Sequence, residues 1–228
     1  MLLTICRLTL HDFLFYASRE MGRLYETEKY LHNYGLTYAL GLVKSPYANT
    51  SQVPHYAEDL SALNEQGVYV TPAHPVRCSF AFHTFKMANV NYYAFTPQES
   101  KNRVVFGRAK ELAPESSFTF SVLSREAVSL PHWIRLGKWM AKARVTTLAQ
   151  LPIQVKHGDG HLWHASGALN PLDLPQRPTS CNVVAMAPAS LITNVAFDGD
   201  YYEANTPAHE MDAPLRLPAG MRYQPVRS

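Results

Sequence analysis

Residues 2–10, LLTICRLTL, alternate well enough to predict a first strand, and β-branched Thr4 and Ile5 support it. A linking segment with one glycine, HDFLFYASREMGRLYE, follows over 11–26. From about Glu28 to Val43 the spacing turns helical, with Leu31, Tyr34, Tyr38 and Leu42 on one stripe. Gly35 and Ala39 on that side allow close backbone approach, and Leu36 and Leu40 opposite predict later turns buried all round. Lys44-Ser45-Pro46 ends the helix, and residues 45–66 read as loop around Pro46 and Pro54.

Downstream the period shortens to two. YVTP and VRCSFAFHTFKMANVNYYAFTP read as strands, and VVFGRAKEL with SFTFSVL reads as a hairpin turning at APES. HWIRLGKWMAKARV fits two elements. As a helix it groups Arg135, Lys138 and Lys142. As a strand it sets Lys138, Met140, Lys142 and Arg144 opposite Trp139, Ala141, Ala143 and Val145. Either way one face is basic. IQVKHGDGHLWH predicts a hairpin on GDG, 170–180 a proline-rich loop, VVAMAPASLITNVAF one or two strands, and DGDYYEANTPAHEMDAP an acidic loop. A strand, a helix and then mostly antiparallel strands predict an α+β chain, without internal repeats or a low-complexity linker.

Composition adds limits. The 228 residues are 46% hydrophobic and 17% charged, which suits one elaborated domain with a real core. No run of 18 apolar residues predicts a membrane span, and MLLTICRLTLHD lacks the basic start and small-residue cleavage site of a signal peptide. Cys6, Cys78 and Cys181 form no CxxC, and so sparse a count fits a reducing cytoplasm.

The net charge of +3 is unevenly spread: −2 over residues 1–65, +8 over 66–158 and −3 over 159–228. Residues 66–98 and 127–158 contain no acid, and 178–215 contain no Lys or Arg. A basic middle between acidic ends points to a polyanion on one face, and the 178–215 stretch to a protein-facing or solvent-facing region.

Four groupings carry candidate chemistry. At the start of the expected helix, Arg19, Arg23 and Lys29 offer donors for phosphate and Tyr25 a ring for stacking, although Glu20, Glu26 and Glu28 sit among them. In IRLGKWMAKAR, Arg135, Lys138, Lys142 and Arg144 lie near Trp133 and Trp139. Lys101, Arg103, Arg108 and Lys110 fall on the expected hairpin, where charge also serves to protect an edge strand. His157, Asp159, His161 and His164 flank GDG, a turn that splays side chains and argues against a metal. P-loop, HExxH and GxSxG motifs are absent, so no cofactor is expected. A metal-free nuclease trio of His11, Tyr25 and Lys29 is the catalytic alternative.

A first strand, then GRLYETEKYLHNYGLTYALGL, then LGKWMAKARV: this set resembles the small Cas-five-type (Csc-one) RAMP subunit of type I-D CRISPR effector complexes, over the whole chain. Only Gly137 remains of the glycine-rich loop that RAMP proteins place before such a strand. The resemblance implies a modified RRM or ferredoxin-like (RAMP) fold with an antiparallel sheet and an inserted β-hairpin thumb, here within about 66–125. It implies a subunit that binds the 5′ handle of the CRISPR RNA without cutting it and caps the backbone filament. The implied neighbours are a large Cas-ten-like subunit, a Cas-seven-type subunit and target DNA near the flanking motif. It assigns Arg19, Arg23 and Lys29 to phosphates, Tyr25 to stacking, His32 or Asn33 to a base edge, Arg103 and Arg108 to the thumb, and Arg135, Lys138, Lys142 and Arg144 to a second strip. A guide-processing endoribonuclease and a scaffold without RNA contact are the rival expectations.

Overall fold

A computed structural model describes residues 1–45, 55–87, 105–205 and 214–224. Strand β1 (Leu2–Leu10) lies at the centre of a six-stranded antiparallel sheet. Along its length β1 pairs with β8 (Ser117–Ser124) on one side and with β10 (Ala141–Pro152) on the other. Beyond β10 lies β9 (Trp133–Leu136), and beyond β8 lie β4 (Tyr69–Val70) and β5 (His74–Arg77). Leu8 and Leu10 are fully buried and aligned with Val145 and Ala143, also buried, so one face of this sheet is core.

A second sheet orders β2 (Arg19–Met21), β3 (Leu24–Glu26), β7 (Val105–Leu112) and β6 (Phe80–Met87). The β3–β7 pair is parallel and the other two pairs are antiparallel. Two three-stranded sheets complete the fold: β11 (Val155–Lys156) with β15 (Tyr201–Ala204) and β16 (Leu215–Pro218), and β12 (Trp163–His164) with β14 (Leu191–Phe197) and β13 (Ser180–Val184).

The described helices are α1 (Asn33–Ala39), α2 (Tyr56–Gln66) and a 3-10 turn at Pro171–Asp173. The architecture is therefore mostly β, where an α+β chain was expected. The helix predicted from Glu28 starts five residues later because Leu31 and Ala73 exchange backbone hydrogen bonds of 3.2 and 2.9 Å, which holds the approach extended. The polar stretch 19–26 is thus a β-hairpin and no helix mouth. The expected loop 45–66 holds α2. Glu58 and Asp59 suit its first turn, Leu60 and Leu63 bury its inner side, and Gly67, at φ +67°, ends it.

The expected β7–β8 hairpin does not form. Strand β8 is buried along nearly its whole length, as a central strand covered on both faces must be, and it pairs with β1. The turn after Leu112 passes the chain from one sheet to the other. The strands flanking GDG also separate, β11 to β15 and β12 to β14, because Gly158 lies against the Asp198–Gly199 backbone where no side chain fits. In the expected acidic loop, Tyr201–Ala204 is strand β15.

The segment before β13 is tied to α1 by a buried carboxylate. Asp173 Oδ2 accepts from Asn33 Nδ2 (2.8 Å), Asn170 Nδ2 (3.0 Å) and Tyr69 Oη (3.1 Å). Its Oδ1 accepts from Tyr34 Oη (2.9 Å) and from the Gln224 backbone N–H (2.9 Å). Burial pushes the carboxyl pKa up and these donors pull it back. The Tyr223 hydroxyl meets Thr37 at 2.7 Å and accepts from the Val70 N–H, so the tail is pinned to the same helix and strand.

His32 caps α1. Its Nδ1 accepts from the Tyr34 N–H at 3.2 Å, while Nε2 has no well-aligned partner. Burial lowers its pKa to about 3, offset only in part by the Ala189 backbone.

Asp173→Ala strands five donors, and the chain is expected to lose about 3–5 kcal/mol in chemical denaturation, read as a lower midpoint at unchanged m-value. His32 sets a pH dependence. Between pH 6.5 and about 3 the unfolded chain binds a proton there that the folded chain refuses, so stability falls as pH falls. Relative to His32→Gln, the wild type is expected to lose stability below pH 6.5 with a slope approaching about 1.4 kcal/mol per pH unit, and denaturation at several pH values measures it.

Candidate nucleic-acid interface

Of the two readings of residues 132–145 the strand fits, but as two strands: 137–140 form a turn, so Lys138, Trp139 and Met140 leave the alternation, while Lys142 and Arg144 stand opposite Ala141, Ala143 and Val145 as expected. The β9–β10 hairpin pairs Arg135 with Lys142 and Trp133 with Arg144. Paired residues share a face, and the alternate residues Ile134, Leu136, Ala141, Ala143 and Val145 are buried. Trp133, Arg135, Lys142 and Arg144 therefore stand together on the outer face of the central sheet. On the far side of β10, β1 aligns Thr9 with Arg144 and Arg7 with Thr146, which adds Arg7 to that face.

The face is also aromatic. Lys142 Nζ lies 4.2 Å from the Trp133 ring centroid, and His11 meets the same ring edge-on at 4.9 Å. Trp133 is still 47% exposed. Among the described residues no carboxylate lies within ion-pair distance of Arg135, Lys142 or Arg144. Unpaired cations around an exposed indole can hold phosphates and stack a base at once.

The β9–β10 turn extends this strip. Gly137 takes φ +79°, and a side chain there would strike Leu14 and the Phe15 carbonyl. Lys138 N–H donates to that carbonyl at 2.8 Å, and Lys138 is exposed. Trp139 stacks on Phe15 at 4.4 Å and remains 52% exposed. One residue earlier, Leu14 exchanges backbone hydrogen bonds with Leu112 of β7, so the strap after β1 joins the turn to the second sheet.

That second sheet carries another aromatic face, on which Arg108 is the exposed cation. The β3–β7 pairing sets Leu24 beside Arg108 and Glu26 beside Lys110, while β6 sets Thr84 beside Arg108 and Phe82 beside Lys110. The Arg108 N–H donates to the Arg23 carbonyl at 2.8 Å, so two exposed arginines distant in sequence meet. Phe82 is 63% exposed, and Lys110 Nζ lies 4.4 Å from the Phe80 ring.

Other expected site residues are placed differently. Asn33 is wholly buried and spent on Asp173, and His32 is a buried helix cap, so neither reads a base edge. Arg19 is held by Glu26 (3.0 Å) and Glu28 (3.3 Å), and Lys110 shares Glu26 at 3.4 Å, which leaves that cluster near neutrality. Lys29 is exposed over the Tyr30 ring at 5.4 Å, apart from the β2–β3 turn. Tyr25 lies on the opposite face of its sheet from Arg108, 6.0 Å from the Phe85 ring. His11, Tyr25 and Lys29 thus pack on three different aromatic rings. Lys101 and Arg103 lie outside the described residues.

Among the described residues no group of three His, Cys, Asp or Glu is arranged to hold a metal, and His157 pairs with Asp200 at 3.1 Å. None of the described helices is long and apolar enough to cross a membrane. Arg7, Phe80 and Phe82 were missed as site residues. Their signal was present, because in LLTICRLTL and SFAFHTF the alternation decides which side chains leave the core.

The family model described as type I-D CRISPR-associated protein Cas5/Csc1 matches residues 1–225, and the chain belongs to that family. Among solved structures, the chain is similar to one in the cryo-EM structure of the Type III-B Cmr-beta bound to cognate target RNA and AMPPnP. That match has 9% identity and a TM-score of 0.44, and it covers 84% of this chain and 85% of the other. No curated protein matches the chain.

Proposed function

We propose that this Cas5/Csc1 chain is the subunit of a type I-D effector complex that binds the guide RNA at its 5′ handle. The observation that carries the reading is the outer face of the central sheet, where Arg135, Lys142 and Arg144 surround Trp133 with no carboxylate among them. Family membership supplies the CRISPR context, and the face supplies the RNA chemistry: cations for the backbone and an exposed indole for a base.

In this reading the central sheet is the core of a modified RRM-like (RAMP) domain spanning the whole chain, and the β6–β7 hairpin is its thumb. Arg23 and Arg108 give the thumb base a second phosphate contact. Lys138 and Trp139 continue the first strip towards it across the Leu14–Phe15 strap. The chain binds and holds RNA, and cutting belongs to another subunit. Its protein neighbours are the large Cas-ten-like subunit and the adjoining Cas-seven-type subunit, with the chain at the end of the filament.

Lys142→Glu with Arg144→Glu tests this. Both side chains are exposed, so the fold is expected to survive. Binding of the purified chain to a 5′-handle RNA should weaken at least about 10-fold, and the slope of log affinity against log salt should fall by about 1.4 for two lost phosphate contacts. Asn33→Ala should lower stability and leave the salt slope unchanged. A folded double variant that keeps wild-type affinity and salt slope would overturn the reading.

A further inference from the structure

Strand β9 is the outer strand of the central sheet, and its edge, which no described strand pairs, opens on a groove of about 590 Å³. The end of α1 at Tyr38 and Ala39, with Leu40 and Gly41 after it, forms one wall. The segment Ser129 to Pro131 and β9 itself form the other. The backbone of β9 points into it. In an antiparallel sheet the N–H and C=O of one residue face the same neighbour. Lys142 C=O accepts from the His11 N–H, so at Lys142 the β10 backbone faces away from β9. Its partner Arg135 must then turn its own N–H and C=O to the open edge. Two residues earlier, Trp133 does the same. In agreement, the His132 carbonyl accepts from the Val145 N–H, on the inner side of the hairpin.

An open edge is usually blunted by a charged side chain, a proline or a covering element. Here Arg135 does not cover it, because its guanidinium is drawn along the hairpin to the Met140 carbonyl at 3.0 Å. The nearest proline, Pro131, precedes the strand and blocks neither outward N–H.

We infer that this edge and groove receive an extended, acidic segment of another protein subunit, which adds as a strand beside β9. The inference rests on the proposal that the chain works inside an effector complex. A row of outward N–H and C=O groups is the complement of a second peptide backbone and has no repeating counterpart in RNA. Four residues of β9 match about 13 Å of added strand. The charge selects the occupant: the β9–β10 hairpin as a whole carries Arg135, Lys138, Lys142 and Arg144, residues 127–158 contain no acid, and none of the described residues that line the groove is acidic. A second copy of this edge would bring like charge against like. The edge borders the RNA face: Trp133 and Arg135 belong to both, through their side chains on the face and their backbones on the edge.

The test is amide hydrogen exchange at single-residue resolution on three samples: the chain alone, the chain with 5′-handle RNA, and the chain in the co-expressed effector complex. The Trp133 and Arg135 amides should exchange freely in the first two and slow at least about 100-fold in the complex. In the same complex Ser129→Glu, an exposed change on the groove wall, should restore fast exchange, and Ser129→Lys should not. Protection by RNA alone would assign the edge to RNA and overturn the inference. Protection in the chain alone, falling on dilution, would assign it to self-association and overturn it too. Co-purification of the complex with these amides still exchanging freely would overturn the inference and leave the proposed function standing. Failure of the chain to enter the complex would overturn both.

Discussion

The fold depends on one buried carboxylate. Asp173 gathers Asn33 and Tyr34 from α1, Tyr69 from β4, Asn170 from its own turn and the backbone of Gln224 from the tail. Apart from Asn170, these groups come from a helix, a strand and the tail, each far from Asp173 in sequence. A carboxyl group taken out of water has to be satisfied by hydrogen bonds, and this one is satisfied by helix, strand and tail together. The site residues inherit that order. Leu36 and Leu40 of α1 and Ile134 and Leu136 of β9 are buried members of the same core. Packing there leaves Trp133 and Arg135 facing outward.

The second constraint is the strap from His11 to Tyr16. Leu14 bonds to β7, Phe15 bonds to the β9–β10 turn, and the Tyr16 N–H donates to Thr27 Oγ1 at 3.0 Å. Six residues thus couple the central sheet to the second sheet. The turn that carries Lys138 and Trp139 is thereby held to the strap that the second sheet also bonds. Gly137 makes this possible, because its positive φ and missing side chain let the turn lie on Leu14.

How much of this was legible depended on whether the deciding contact was local. The alternation in LLTICRLTL placed β1, and the strand reading of the segment around WIRLGKWMAKARV set Lys142 and Arg144 opposite Ala141, Ala143 and Val145, because one buried face fixes the other. The choice of strand over helix, and the turn that splits β9 from β10 and puts Arg135 beside Lys142, rest on pairing with β1 and on contact with Phe15, which spacing does not show. Helix α2 also had local cues, with acids in its first turn and Gly67 at its end, but the flanking prolines outweighed them. The role of Asn33 was not legible. Its partner is 140 positions away, and an asparagine beside basic and aromatic residues looks the same whether it meets RNA or Asp173. The start of α1 was hidden for the same reason, since Leu31 pairs with Ala73. Strand β7 was recognised as a strand but given the wrong neighbour. Its parallel pairing with β3, which brings Arg23 to Arg108, leaves no trace in spacing.

The most direct measurement of the central claim is ultraviolet crosslinking of guide RNA within the assembled type I-D complex, with the crosslinked peptides mapped by mass spectrometry. The account predicts crosslinks from the 5′ handle to the peptide spanning 131–145, centred on Trp133 and Trp139. An intact complex whose handle crosslinks only to other subunits, or only to peptides off this face, would contradict it.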